Sequence, residues 1–297
     1  MGKPKPLEAV PNFSEGRSEE TIAALGRALA RRAHLLDVHT DADHHRSVFT
    51  LAGSAEDLVD ALVDGIACAK QRIDLRHHEG VHPRVGAADV VSVVAVWPEQ
   101  LEDARGTALT LADRVATELA LPVFLYGSLA PGVSPASLRR GGPAELQRRI
   151  DAGELSPDRG PRRLDPRAGC VLVGARTPLI AFNVDLATDD LAVAQSIAAA
   201  VREAGGGLHG VRALGFPLAS RGLVQVSMNV EDWRASPLDE IVTRIEAEAQ
   251  ARGVEVAGSE LVGLMPEGAA LPGARALRLP SLDETRLLEP RLSRLGT

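Results

Sequence analysis

Cysteine is nearly missing: Cys68 and Cys170 are the only two in 297 residues. A disulfide framework and a cysteine-built metal centre are therefore excluded, and both thiols read as small core residues without redox chemistry. Aromatic side chains make up 3% of the chain, too few for the stacking platforms that hold unpaired bases. Positive charge is also short, since the formal net charge is -7, which offers no basic footprint to a polyanion. No apolar run approaches the roughly 18 to 20 residues of a membrane span. The opening MGKPKPLEAV lacks the apolar stretch of a secretory signal. The expectation is a cytoplasmic protein with neither a nucleic-acid nor a membrane partner.

Familiar catalytic signatures are missing as well. There is no G-x-S-x-G elbow for a serine nucleophile, and no H-E-x-x-H stands on a predicted helix as a metalloprotease requires. Gly205-Gly206-Gly207 lacks the strand-turn-helix setting of a dinucleotide fingerprint and reads as the end of a helix.

What is present suits a globular chain: 45% hydrophobic residues over this length can bury two cores, and the length prior of ~150 residues per domain gives two domains. Periodicity predicts a strand at Leu7 to Val10, a turn from Pro11 to Gly16 and a helix over Glu19 to Arg32 capped by Ser18. A strand at His34 to Val38, a polar turn at Thr40 to His45, a strand at Ser47 to Leu51, a helix from Glu56 to Gln71 and a strand at Val90 to Val96 follow. That order, βαββαβ, is the ferredoxin-like unit. A helix at Glu99 to Leu119 and a strand at Val123 to Tyr126 extend it.

The second half repeats the order, with strands at Leu179 to Leu186, Val211 to Leu218, Leu223 to Val230 and Val254 to Val262. Its helices are expected at Asp190 to Ala204 and Pro237 to Arg252. The fold class is therefore α/β (α+β), two ferredoxin-like subdomains with their sheets covered by helices. Gly127 to Pro166, rich in Gly, Pro, Arg and Asp with one helix-like piece near Ala144 to Asp151, reads as a linker or functional loop. The Pro- and Arg-rich tail from Leu271 to Thr297 is expected to be loosely held.

Chemistry concentrates in the first half. Seven of the eight histidines (His34, His39, His44, His45, His77, His78 and His82) precede residue 83, and imidazole is the side chain that gives and takes protons near neutrality. Three polar turns at strand ends stand out: Asn12 to Arg17, Asp41 to Arg46 and Arg76 to Arg84. Turns of this kind can line a common cleft. Gly80, Pro83 and Gly86 fix the backbone around His82 and favour it as the catalytic histidine, whereas His77 and His78 precede the turn and are expected to face solvent. Asp41, Asp43 and the histidines are capable metal ligands. Their spacing builds no helical ligand pair, and the neighbouring arginines would repel a cation, so no metal is expected. Arg46, Arg76, Arg84 and Arg176 beside these loops suit an anionic small molecule.

Six ordered segments carry a resemblance: Pro11 to Arg17 (PNFSEGR), Asp41 to Val48 (DADHHRSV), Gly80 to Ala87 (GVHPRVGA), Leu125-Tyr126-Gly127, Gly174-Ala175-Arg176 with Leu179 to Asn183 (LIAFN), and Gly258 to Leu264 (GSELVGL). Together they resemble the formiminotransferase family along nearly the whole chain. The resemblance implies a folate-dependent transferase that moves the formimino group of N-formimino-L-glutamate to tetrahydrofolate, as in histidine degradation. Tetrahydrofolate is then the acceptor substrate. It further implies a homodimer of two-subdomain chains, an N-terminal subdomain over residues 1–174 and a C-terminal subdomain with its tail over 175–297, with folate in a groove between them. Some relatives carry a fused cyclodeaminase, for which this chain is expected to have no room.

On the same resemblance His82 takes the catalytic role. By side-chain chemistry Arg46, Arg84 and Arg176 are the candidates for glutamate or folate carboxylates, and Asn12, Asp43 and Asn183 for amide or pterin groups, with His44 counted among the substrate- or folate-binding candidates. The chain departs from the family pattern at His39, Ser128, Thr177 and Gly205 to Gly210. Alternatives therefore stand beside this reading: a relative using another one-carbon donor such as 5-formyltetrahydrofolate, a metal-dependent hydrolase, or a non-catalytic folate-binding protein.

Overall fold

Alternating apolar residues bounded by capped helices become two β-sheets in the computed structural model, which describes residues 5–270 and 284–295. The chain divides into two compact units at Thr177/Pro178. This is three residues beyond the expected boundary at Gly174, because the strand that begins at Val171 continues to Arg176.

The first unit contains β1 (Leu7–Phe13), α1 (Glu19–Leu29), β2 (His34–Asp41), β3 (Arg46–Gly53), α2 (Ala55–Arg72) and β4 (Ala88–Val94). It continues with α3 (Leu101–Glu118), β5 (Val123–Gly127), α4 (Pro135–Arg139), α5 (Gly142–Asp151) and β6 (Val171–Arg176). The side chains of Ser18 and Ser54 accept the backbone N–H groups of Thr21 and Asp57, each at 3.2 Å, and start α1 and α2 with acids in the first turn. Such caps are worth about 1 kcal/mol each. Helix α1 stops at Leu29, short of the expected Arg32, and the turn that follows delivers Ala33 into the core before β2.

The sheet order is β2-β3-β1-β4-β6-β5. The first four strands pair antiparallel, while β6 lies parallel to both β4 and β5. Leu25, Leu29, Leu58, Leu62, Ile66 and Leu111 of α1, α2 and α3 close over Phe13, Phe49, Leu51, Val91, Val93 and Val173 on one face. Of the two expectations for Gly127 to Pro166, linker or functional loop, the linker is overturned. Helices α4 and α5 of this segment place Leu138, Leu146 and Ile150 against Phe124, Tyr126 and Leu172 on the opposite face of β5 and β6. A strand covered on both faces reads as an unbroken apolar run, as Val171-Leu172-Val173 does.

The second unit contains β7 (Ile180–Leu186), α6 (Leu191–Val201), β8 (Val211–Leu218), β9 (Leu223–Val230), α7 (Leu238–Gln250), β10 (Val256–Val262) and α8 (Leu288–Ser293). Its four strands run antiparallel in the order β10-β7-β9-β8. Phe182, Val184 and Val226 face Ile197 of α6 and Ile241 and Ile245 of α7. The architecture is mixed α/β with two sheets of six and four strands, so the halves are not equal copies. Among the described residues no helix is long and apolar enough to cross a membrane. The expectation for the tail concerns residues 271–297, of which 271–283 and 296–297 lie outside those described.

Candidate active site

Strand register brings the three polar turns together in the first unit. Asn12 of β1 is level with Val48 of β3 and Val90 of β4, so the turn after β1, the β2–β3 hairpin and the loop before β4 share one end of the sheet. Ser14 is fully enclosed there, its N–H reaching Ala87 O and its hydroxyl Gly86 O, both at 2.8 Å. Gly16 N–H donates to His45 Nδ1 at 3.0 Å, Arg17 Nε to Ala42 O at 2.9 Å, and Val81 N–H to the backbone oxygen of Asp43 at 3.3 Å. Two glycines allow this approach: a Cβ on Gly16 would stand 2.1 Å from Asp41 O, and one on Gly86 1.9 Å from Cys170 O. The hairpin turn is held by Asp41, whose Oδ1 accepts His44 N–H at 2.6 Å, and it carries His45 at a φ of 48°.

Asp89 is the electrostatic centre, and sequence reasoning missed it inside the apolar run AADVVSVV. Its side chain is 0% exposed. Oδ1 accepts the N–H of Val85 at 2.8 Å, while Oδ2 accepts Arg46 Nη1 at 2.9 Å and Arg139 Nη2 at 2.6 Å. Burial alone would raise its proton affinity, yet the two guanidiniums and the Val85 amide hold the carboxyl well below the usual carboxylate range. Arg46 also donates through Nε to Asn12 Oδ1 at 3.1 Å. Burial lowers its pKa to about 10 against the pull of Asp89. Asn12 is oriented in turn by its Nδ2, which donates to Val10 O at 3.1 Å.

Arg84 serves the loop backbone instead. Its Nε and Nη2 donate to His82 O, at 3.0 and 2.5 Å, and Nη2 also reaches His44 O at 3.1 Å. Burial and then repulsion from Arg46 bring its pKa to about 10.

His78, expected in solvent, is half-buried. Its ring stacks on His45 with centroids 4.0 Å apart, and Arg84 Nη1 approaches both of its nitrogens, 2.6 Å from Nε2. A guanidinium has only donors, so the ring must accept and stay neutral. Burial, then Arg84 and His45, accordingly lower its pKa to about 4.

His82 keeps partial contact with solvent. Its Nδ1 lies 2.7 Å from Pro83 O. A carbonyl can only accept, so Nδ1 carries the proton and Nε2 is the acceptor of the neutral ring. Burial first, then the charges of Arg46 and Arg139, push its pKa well below 6.5, with Asp89 opposing. His44, buried beside Asp41, sets its ring edgewise to His82 with centroids 6.1 Å apart.

Two further expected site residues come from other strands. Arg176 ends β6 and pairs with Val94, at the far end of β4 from Asp89. It donates to Thr177 O at 3.0 Å, and its charge acts on Tyr126, a buried phenol bonded to Ser92 Oγ at 2.7 Å. Asn183 belongs to the second unit, on β7, with Nδ2 3.3 Å from Glu260 Oε2 on β10. The departure at Ser128 has a structural use, since its hydroxyl donates to Ala175 O at 2.6 Å. Arg139, the other residue missed, comes from the supposed linker. Its one signal in the sequence is an arginine-rich stretch. Among the described residues, no group of three or more His, Cys, Asp or Glu side chains is placed to hold a metal ion.

Residues 6–176 match the family described as the formiminotransferase domain, N-terminal subdomain, and residues 181–286 match the formiminotransferase domain. Over 296 residues, 97% of each chain, the protein is 37% identical to the glutamate formimidoyltransferase of Thermoplasma acidophilum. It is also 37% identical to that of Streptococcus pyogenes serotype M1, covering 90% of this chain and 91% of the relative. The formimidoyltransferase-cyclodeaminase of Gallus gallus is 37% identical over 98% of this chain, which spans 57% of that longer protein.

Proposed function

This chain belongs to the formiminotransferase family, and from that premise we propose that it transfers the formimino group of N-formimino-L-glutamate to tetrahydrofolate, releasing L-glutamate and 5-formiminotetrahydrofolate. The observation that carries the mechanism is the hydrogen bond from His82 Nδ1 to Pro83 O, which leaves Nε2 as a base held in a fixed direction. The pterin N5 adds to the formimino carbon, and the tetrahedral adduct loses the N5 proton to Nε2. The imidazolium, steadied by Pro83 O, then returns the proton to the glutamate nitrogen as that C–N bond breaks. One imidazole serves both steps, a contribution of typically 10²- to 10⁴-fold. Alignment of the two substrates lowers the barrier further, by up to roughly 7 to 11 kcal/mol.

Arg46, Arg84 and Arg176 are proposed to face substrate or folate carboxylates, and Asn12, Asp43, His44 and Asn183 amide or pterin groups. Of these, Asn12 and Arg46 are bonded to each other in the turns around His82, which supports their inclusion, whereas the donors of Arg84 are engaged by backbone carbonyls and His78. A homodimer in the cytoplasm completes the reading. Steady-state turnover of N-formimino-L-glutamate with tetrahydrofolate, with and without a chelator, tests it in the parent and in His82→Ala. Chelator-resistant turnover that falls ~100-fold or more in the variant is expected. A folded parent without turnover would redirect the assignment to another one-carbon donor.

A further inference from the structure

Two buried guanidiniums share one carboxylate oxygen at this site. Arg46 and Arg139 both point at Asp89 Oδ2, while the other oxygen of Asp89 is engaged by Val85 N–H. The side chains of Arg46 and Arg139 are only 11% and 13% exposed. Each guanidinium offers five N–H donors, and together these two use three, on Asp89 and Asn12. Arg139 Nε is buried with no hydrogen-bond partner. Two cations thus face one anion in a place largely closed to water, with donors left over. An uncompensated buried charge is strongly unfavourable unless a counter-ion joins it. Arg84 differs, because its donors are taken by backbone carbonyls and His78.

We infer that Arg139, together with Arg46, receives a substrate carboxylate beside His82. The inference rests on the transfer reading above and names the residue that would recognise the anionic end of the substrate. A planar guanidinium pairs with carboxylate through parallel N–H···O bonds. An arriving carboxylate would balance the second cation and occupy the spare donors. Asp89 ties this pair to the catalytic loop through Val85, three residues after His82, so the same carboxylate would be held in register with the imidazole. Both the donor's glutamate and the glutamate tail of the folate carry the required chemistry.

The test compares the parent with Arg139→Gln and Arg139→Lys, both checked by thermal melting, since Asp89 keeps Arg46 and Val85 as partners in either variant. Arg139→Gln is expected to raise one KM about tenfold or more while changing kcat less, with partial recovery in Arg139→Lys. A rise confined to N-formimino-L-glutamate identifies the donor's carboxylate. A rise with tetrahydrofolate but not with tetrahydropteroate, which lacks the glutamate tail, identifies the folate's. Both KM values within twofold of the parent overturn the inference. Calorimetric titration with L-glutamate separates this result from the transfer reading: Arg139-dependent binding in a parent without transfer upholds the carboxylate site and sinks the reaction. A parent with neither transfer nor L-glutamate binding sinks the site.

Discussion

Asp89 joins three separate segments through one carboxylate: the hairpin by Arg46, α4 by Arg139 and the His82 loop by Val85. Removing one partner of a buried ion pair leaves uncompensated charge, at a cost of about 3 to 5 kcal/mol. Asp89→Ala is therefore expected to lower the unfolding free energy by about that amount in urea titration, and a loss under about 1 kcal/mol would mean that the arginines find other partners. His82 yields a second prediction at this scale. Its burial and the nearby cations favour the neutral ring, so the proposed base would stay available until the pH drops well below 6.5. The acid limb of kcat/KM for the free enzyme should lie below pH 6.5, and Arg139→Gln, which removes one of the repelling charges, should move it upward. An acid limb above about pH 7 in the parent would contradict a base in this environment.

At the scale of elements, what the sequence reveals depends on how each element is exposed. Strands β1, β3, β7 and β9 have one helix-covered face, and their alternation is plain from the residues alone. β6 is short and covered on both sides, so the period-2 signal is absent, and the apolar run Val171-Leu172-Val173 that remains does not distinguish a strand from a buried helix segment. The same physics hides Asp89, which looks like an interruption of an apolar run until two arginines arrive from positions 46 and 139. The meeting of the three turns is legible as a possibility, because each adjoins one end of a strand. The register that aligns Asn12 with Val90 is not.

The segment from Gly127 to Pro166 reads as a linker from its glycines and prolines, yet Leu146 and Ile150 of α5 are buried, at 0% and 1% exposed. Leu146→Ala should cost about 2 to 5 kcal/mol in guanidinium unfolding, whereas a true linker would lose almost nothing. Gly86→Ala places a methyl 1.9 Å from Cys170 O and must push the starts of β4 and β6 apart. A loss of at least about 1 to 3 kcal/mol is expected, with reduced turnover, since Gly86 O also holds the Ser14 hydroxyl.

For the molecule as a whole, this cleft sets the response to acid. Folded His78 takes up a proton only near pH 4, against 6.5 for an unperturbed imidazole, and His45 and His82 are shifted in the same direction. Between those values the unfolded chain binds more protons than the folded one, so stability rises with pH and is lost as pH falls from 6.5 towards 4. The Asp89 contribution follows at lower pH, because its depressed pKa preserves the ion pairs until the medium is more acid than the ordinary carboxylate value of 3.8. An opposing effect exists only above the pI of about 5.7, where the net charge shrinks as acid is added and self-repulsion relaxes; below it the growing positive charge adds to the loss. That repulsion acts mostly between exposed charges, which physiological salt screens over about 8 Å, while the imidazoles compete with arginines at hydrogen-bond distance inside the cleft. The histidine effect should therefore win at about 0.15 M salt. Melting temperature is expected to fall steadily from pH 6.5 to 4 in the parent and less steeply in His78→Gln, which keeps a polar side chain but cannot titrate. Equal slopes for the two proteins would place the acid sensitivity outside this cluster.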